Sequence, residues 1–123
     1  TKSLYEREGK INNFEEKLIL EISNMPNILF WHRNLERGKG FSINGYKSDH
    51  YPDFIIVTKS AKIILVETKG AFLDKSESAA KNRLGKAWAN KAGSRYKYFM
   101  VFDKEPIPDS YNLDGFREII SEL

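Results

Sequence analysis

Residues 51–70 read YPDFIIVTKSAKIILVETKG. An acidic residue follows a proline at Pro52-Asp53, and fourteen positions later comes Glu67-Thr68-Lys69. Between them lie two apolar segments, Phe54 to Thr58 and Lys62 to Val66, rich in the β-branched residues that suit buried strands. The polar break Lys59-Ser60-Ala61 is short enough for a hairpin turn. Directly opposed residues of an antiparallel hairpin have position numbers of constant sum. A turn centred on Ser60 makes that sum 120 and sets Asp53 opposite Glu67. Side chains alternate along a strand, so Lys69 points to the same side as Glu67.

Two carboxylates and an ammonium therefore share one patch at the open end of the hairpin. Ile55, Val57, Ile63 and Leu65 continue that face, while Phe54, Ile56, Ile64 and Val66 fill the other. A hairpin apolar on both sides belongs inside a sheet covered above and below. The charges then lie at the rim of a buried sheet. Two adjacent carboxylates suit Mg²⁺, a hard cation that keeps waters and substrate phosphate in its other positions. A bound metal neutralises phosphate charge and lowers the pKa of a water, and a neighbouring lysine can orient that water or stabilise the transition state. The same spacing also fits a plain sheet end at which a lysine bridges two carboxylates.

At these residues the chain resembles a known family. The pair "PD" followed by "ETK" matches the motif of the PD-(D/E)xK nucleases. The longer "YPDFI…VETKG" is similar to the C-terminal endonuclease domain of type III restriction enzymes. With the further matches below, the resemblance spans roughly Leu4 to Asp103. It implies a Mg²⁺-dependent DNA endonuclease domain, with Mn²⁺ a possible substitute. Asp53 and Glu67 would be metal ligands, the Thr68 main-chain carbonyl a third, and Lys69 the catalytic lysine.

Composition narrows the field. At 123 residues the chain is expected to be one domain with a single core. Its 41% hydrophobic and 30% charged content is that of a globular protein. No apolar run is long enough to cross a membrane, and nothing resembles a signal peptide. The absence of cysteine excludes disulfides and thiolate metal sites and is compatible with a cytoplasmic location. Two distant histidines, His32 and His50, argue against a zinc site. A net charge of +3 hints only weakly at a polyanionic partner. Thr1 in place of an initiator methionine suggests a processed chain or an excised piece.

Along the chain, Leu4 to Lys10 leads into a first helix capped by Asn12 or Asn13 and ending near Asn24, before Pro26. Ile11, Phe14, Leu18, Ile22 and Met25 form its buried stripe. Glu15 falls about 40° from the stripe's centre and Glu16 about 140° away. A core-facing carboxylate needs a charge partner or a metal. "NNFEEKL" resembles the family's first helix, which often carries a glutamate near the metal; Glu15 is the residue that fits, and a salt bridge to a basic neighbour is the alternative.

Ile28 to Trp31 reads as a strand, with Trp31 as core. His32, Arg33 and Asn34 follow it as candidate phosphate contacts or as a polar strand end, and "FWHRN" resembles the family's segment after the first helix. Glu36 to Gly40 is a turn whose "GKG" lacks P-loop spacing. Phe41 to Tyr46 reads as a half-exposed strand, and His50 as a loop residue within possible reach of DNA or water.

Beyond Gly70, a helix capped by Ser76 or Ser78 runs to about Ala92, with Ala80, Leu84, Ala87 and Trp88 as its buried stripe. Gly85 allows a close approach to the sheet. Lys75, Lys81, Arg83, Lys86, Lys91, Arg95 and Lys97 stand against one acidic residue, Glu77. Lys81, Arg83 and Lys86 are the candidates to track a DNA backbone, with a solvated helix face as the alternative. "KNRLGKAW" resembles the family's helix after the motif. Tyr96 to Phe102 is a further strand, Asp103 to Asp109 a loop, and Tyr111 to Leu123 a terminal helix built on Phe116, Ile119, Ile120 and Leu123.

The expected architecture is an α/β sandwich like that of restriction endonucleases, with a central mixed β-sheet flanked by helices. The expected function is hydrolysis of double-stranded DNA. No Walker-type motif is present, so no nucleotide is expected to bind this domain. By resemblance, a motor portion of the same polypeptide and a separate modification subunit would be its partners. The alternatives are another nuclease of the superfamily, junction-resolving or repair, or a non-catalytic DNA-binding module of the same fold.

Overall fold

A computed structural model describes residues 13–34, 52–70 and 75–123. The expectations for Leu4 to Asn12, Glu36 to Tyr46 and His50 lie outside those residues. The described elements are α1 (Asn13–Ser23), β1 (Ile28–Arg33), β2 (Phe54–Thr58), β3 (Ile63–Lys69), α2 (Lys75–Ala92), β4 (Tyr96–Phe102), β5 (Tyr111–Asn112) and α3 (Leu113–Ser121). The five strands form one sheet in sequence order. β1, β2 and β3 pair antiparallel, whereas β3–β4 and β4–β5 are parallel. The sheet is therefore mixed, and the fold is α/β. Parallel strands need a long crossover, and α2 supplies it between β3 and β4.

The central hairpin has the expected register: Phe54 faces Val66, Ile55 faces Leu65, Ile56 faces Ile64 and Val57 faces Ile63. At its turn, Ala61 takes a positive φ of 68° and donates its N–H to Thr58 O at 3.0 Å. The Thr58 hydroxyl ties down Lys62 N and meets the Ser60 hydroxyl, which in turn donates to Leu123 O at 2.6 Å. The turn is thus fixed both locally and to the C-terminus.

Alternation along the strands splits the apolar residues between two cores. On one face, Phe54, Ile56, Ile64, Val66, Phe99 and Val101 pack with Leu18, Ile19 and Ile22 of α1 and with Phe116 and Ile120 of α3. Trp31 belongs to this core, edge-on to Phe54. On the other face, Leu65, Tyr98, Met100 and Phe102 meet Ala89 of α2, with Ile107 closing the end. The α1 stripe falls where its periodicity puts it.

The α2 stripe does not. Its fully buried line is Ser78, Asn82, Gly85 and Ala89, while Leu84 and Trp88 are half-buried and Ala87 is exposed. Small and polar residues face the sheet because the helix lies close to it. A Cβ on Gly85 would stand 2.4 Å from the Tyr98 ring, so only glycine permits that approach. Asn82 donates to Asp109 O at 2.9 Å, pinning the loop after β4 where Asp109 takes a positive φ of 63°. The two-residue β5 also departs from the expected terminal helix. Tyr111 and Asn112 pair with Val101 and Phe102, and the Asn112 side chain then caps α3 by accepting from Gly115 N at 2.9 Å. Among the described residues no helix is long and apolar enough to cross a membrane.

Candidate metal centre and nucleic-acid interface

The last β2–β3 pair is Phe54 with Val66, yet β3 continues to Lys69 against β4. Pro52 has no N–H to donate and Asp53 lies in a bend, so β2 ends one pair early. The peptide groups of β3 beyond Val66 must then find another partner. Asp53 provides it: its Oδ2 accepts both the Thr68 N–H and the Thr68 hydroxyl, each at 2.7 Å. Its main-chain carbonyl accepts from Asn34 N at 2.8 Å and continues the β1–β2 ladder. Strand peptide groups alternate sides. Since Lys69 O accepts from Asp103 N on the β4 side, the Thr68 carbonyl faces the β2 side, where Asp53 lies.

Glu67 is buried, and its Oε2 meets Lys69 Nζ at 3.1 Å. Its Oε1 is buried with no hydrogen-bond partner among the described residues. Burial above all, and then the nearby Asp53 carboxylate, push the Glu67 pKa up to about 8, against the opposing pull of Lys69 and Lys81. Burial also raises Asp53, although the two Thr68 bonds and the Glu67 side chain favour its charged form. The two carboxyls are thus close and desolvated, and burial with mutual repulsion makes the pair hold a proton more readily than two separate carboxylates.

Glu15 is 4% exposed on the core-facing side of α1, whereas Glu16 is exposed. Its Oε1 pairs with Arg33 Nη1 at 3.3 Å, and its Oε2 lies 3.3 Å from the Thr68 hydroxyl. It reaches Asp53 through Thr68 and is neutralised by Arg33. The salt bridge expected as the alternative to a metal-site role is therefore present, alongside a direct contact with the site.

The structure brings Asp53, Glu67, Thr68 and Lys69 together, with Glu15 and Arg33 behind them. The phosphate-contact candidates are more scattered. His32 is half-buried, Arg33 is engaged by Glu15, and Asn34 is 6% exposed and turned inward. Lys81, Arg83 and Lys86 do not form one line. Lys81 pairs with Glu77 at 3.3 Å and acts on Glu67 through its charge. Arg83 is exposed, about 200° further round the helix. Lys86 lies over the Phe99 and Tyr111 rings, at 5.8 and 5.7 Å, beside the outer edge of β4. Of the three, Lys81 stands near the carboxylates, while Arg83 and Lys86 lie elsewhere on the surface of α2.

Two contributions were not read from the sequence. The Thr68 hydroxyl is one, and strand alternation carries its signal: Thr68 sits between Glu67 and Lys69, so it faces α1 and Glu15. The other is Tyr98, buried beneath the carboxylates, whose phenol is raised well above its ordinary pKa by burial and then by Glu67 and Asp53.

Among the described residues no three histidine, cysteine, aspartate or glutamate side chains converge on one metal position. The available donors are two carboxylates and one main-chain carbonyl. That set fits Mg²⁺, which fills its remaining positions with water, better than a fully protein-ligated ion. The orphaned Glu67 Oε1 beside Asp53 is the atom such a cation would satisfy. Comparison with known proteins gave no match to a family model, a curated protein or a solved structure.

Proposed function

We propose that this chain is a Mg²⁺-dependent endonuclease domain that hydrolyses phosphodiester bonds of double-stranded DNA. The observation that carries the reading is Glu67: a buried carboxyl with one oxygen on Lys69, the other without a donor among the described residues, and a second carboxylate, Asp53, next to it. A purely structural sheet end has no use for two adjacent desolvated carboxyls, since burying such groups costs stability. Asp53, Glu67 and the Thr68 carbonyl would hold the ion. When bound, it supplies charge neutralisation at the phosphate and a more acidic water.

The protein's own residues do the rest. Asp53 is held by Thr68 and Glu67 by Lys69, so the two carboxylates are oriented before any ligand arrives. The Lys69 ammonium, held beside the pair by Glu67 Oε2, would orient the attacking water and offset charge developing on the phosphate. Lys81 lies on the same side of the sheet and contacts a non-bridging phosphate oxygen. Arg33 neutralises Glu15, which would otherwise repel the DNA backbone. The mixed sheet flanked by helices is compatible with a restriction-endonuclease-like sandwich. On this reading the domain is the cleavage part of a type III restriction subunit acting in the cytoplasm, with a motor portion and a modification subunit as partners.

The test is plasmid nicking with Mg²⁺, Mn²⁺ or EDTA, comparing wild type and Lys69→Ala. Wild-type cutting in either metal, none in EDTA, and a loss of at least about 100-fold in the folded variant are expected. A folded Lys69→Ala protein that cuts at the wild-type rate would overturn the mechanism. A wild type that neither cuts nor binds Mn²⁺ by calorimetry would overturn the function.

A further inference from the structure

The Thr68 side chain occupies a position that the two ligand carboxylates and the catalytic lysine do not explain. It lies between Glu67 and Lys69 in sequence but on the opposite face of β3, where it meets Glu15 at 3.3 Å and Asp53 at 2.7 Å. Its one hydroxyl proton cannot serve both carboxylates. The shorter contact takes it, and the Arg33 guanidinium at 3.3 Å from Glu15 removes the competing demand.

Asp53 Oδ2 therefore receives two donors from a single residue, a main-chain N–H and a hydroxyl. The terminal torsion of an aspartate is broad, and one donor leaves the carboxylate free to pivot. Two donors on one oxygen fix its plane, and both are supplied by Thr68. The N–H belongs to its main chain and the hydroxyl to its side chain, so the carboxylate's orientation is anchored to β3.

We infer that the Thr68 hydroxyl is a positioning group that orients the Asp53 carboxylate for a divalent cation, while Arg33 occupies Glu15, the competing acceptor. This rests on the reading of Asp53 and Glu67 as a cation site, and it gives Glu15 an indirect role through Thr68. Groups of this kind behind a metal ligand typically change affinity or activity 10–100-fold when removed.

The experiment is Mn²⁺ titration by calorimetry on wild type, Thr68→Val and Thr68→Ser, with folding followed by circular dichroism. Valine keeps the branched shape that suits a strand and loses only the hydroxyl. The expected result is Mn²⁺ affinity about 10–100-fold weaker in Thr68→Val and restored to within about threefold in Thr68→Ser. Should Thr68→Val not fold, Thr68→Ala carries the same expectation. Wild-type affinity in a folded variant without the hydroxyl would overturn this inference alone, as would a Thr68→Ser protein as weak as Thr68→Val. A wild type that binds no Mn²⁺ would overturn the cation site itself, and this inference with it.

Discussion

The two faces of the sheet end at the same carboxylates but are built by different rules. The α1–α3 face is a continuous apolar core, with Leu18, Ile22, Phe54, Ile56, Phe116 and Ile120 all fully or almost fully buried. The α2 face packs a tyrosine against a glycine and places Ser78 and Asn82 where a helix ordinarily puts leucine. One face holds the hairpin in place through area removed from water. The other trades apolar area for closeness, bringing Lys81 and Tyr98 near Glu67. On the proposed reading, stability and chemistry are largely assigned to opposite sides, with Glu15, Arg33 and Thr68 as the exception that reaches through.

The sharpest way to break that division is to hollow out the apolar face. Phe116 is fully buried and lies edge-on to Phe99 at 5.5 Å. Phe116→Ala is expected to lower stability by about 3–5 kcal/mol in denaturant titration. That is a large share of the roughly 5–15 kcal/mol typical of a domain. If the carboxylates bind Mn²⁺ as proposed, any folded fraction should keep that affinity, because Phe116 packs in the α1–α3 core. A drop in stability below about 1 kcal/mol would mean that this face does not carry the fold.

That face was also the one the sequence made legible. Leu18 and Ile22 repeat at helical spacing, and Phe54 to Val57 against Ile63 to Val66 admit one register that buries both sides, so the hairpin and Asp53–Glu67 followed from counting. Charge and periodicity together placed Glu15 inside and Glu16 outside. The α2 face resisted because amphipathicity weighs hydrophobic side chains, and here the residues nearest the sheet are Ser78, Asn82 and Gly85. Leu84 and Ala87 have the spacing of core residues and are half-buried and exposed. Tyr111 and Asn112 read as helix because two residues carry no period. Thr68 hides its part because a threonine inside a strand is ordinary, and only the folded chain sets its hydroxyl between Asp53 and Glu15.

The carboxylate pair gives the comparison a pH signature. Glu67 stands near 8 in the folded, cation-free protein against 4.5 for its ordinary value. Between those limits the folded state binds a proton that the unfolded chain has released, so this contribution is fully present below pH 4.5 and fades as pH rises through 8. In EDTA, stability should fall by on the order of 3–4 kcal/mol between pH 5 and 8. Glu67→Gln, which cannot titrate, should flatten that part of the profile, while Phe116→Ala should lower the whole curve in parallel. An equal slope in the Glu67→Gln protein would remove the buried acid pair from the argument.

The smallest effect separates residues within α2 itself. Lys81 is the lysine of that helix whose charge reaches Glu67, and Arg83 stands exposed on the far side. Removing a single lysine–phosphate pairing lowers the salt dependence of DNA binding by about one unit of slope and weakens binding equally across sequences. Lys81→Gln should therefore weaken affinity for a short duplex by about three- to tenfold and reduce the log–log salt slope by about one. Arg83→Gln should change neither beyond about twofold. Measured in Ca²⁺ or EDTA, where cleavage does not interfere, the pair tests orientation rather than total charge, since both variants lose one positive charge. Equal weakening by the two would mean that DNA senses the helix as a diffuse basic surface. The side of α2 that approaches the carboxylates would then have no special part in binding.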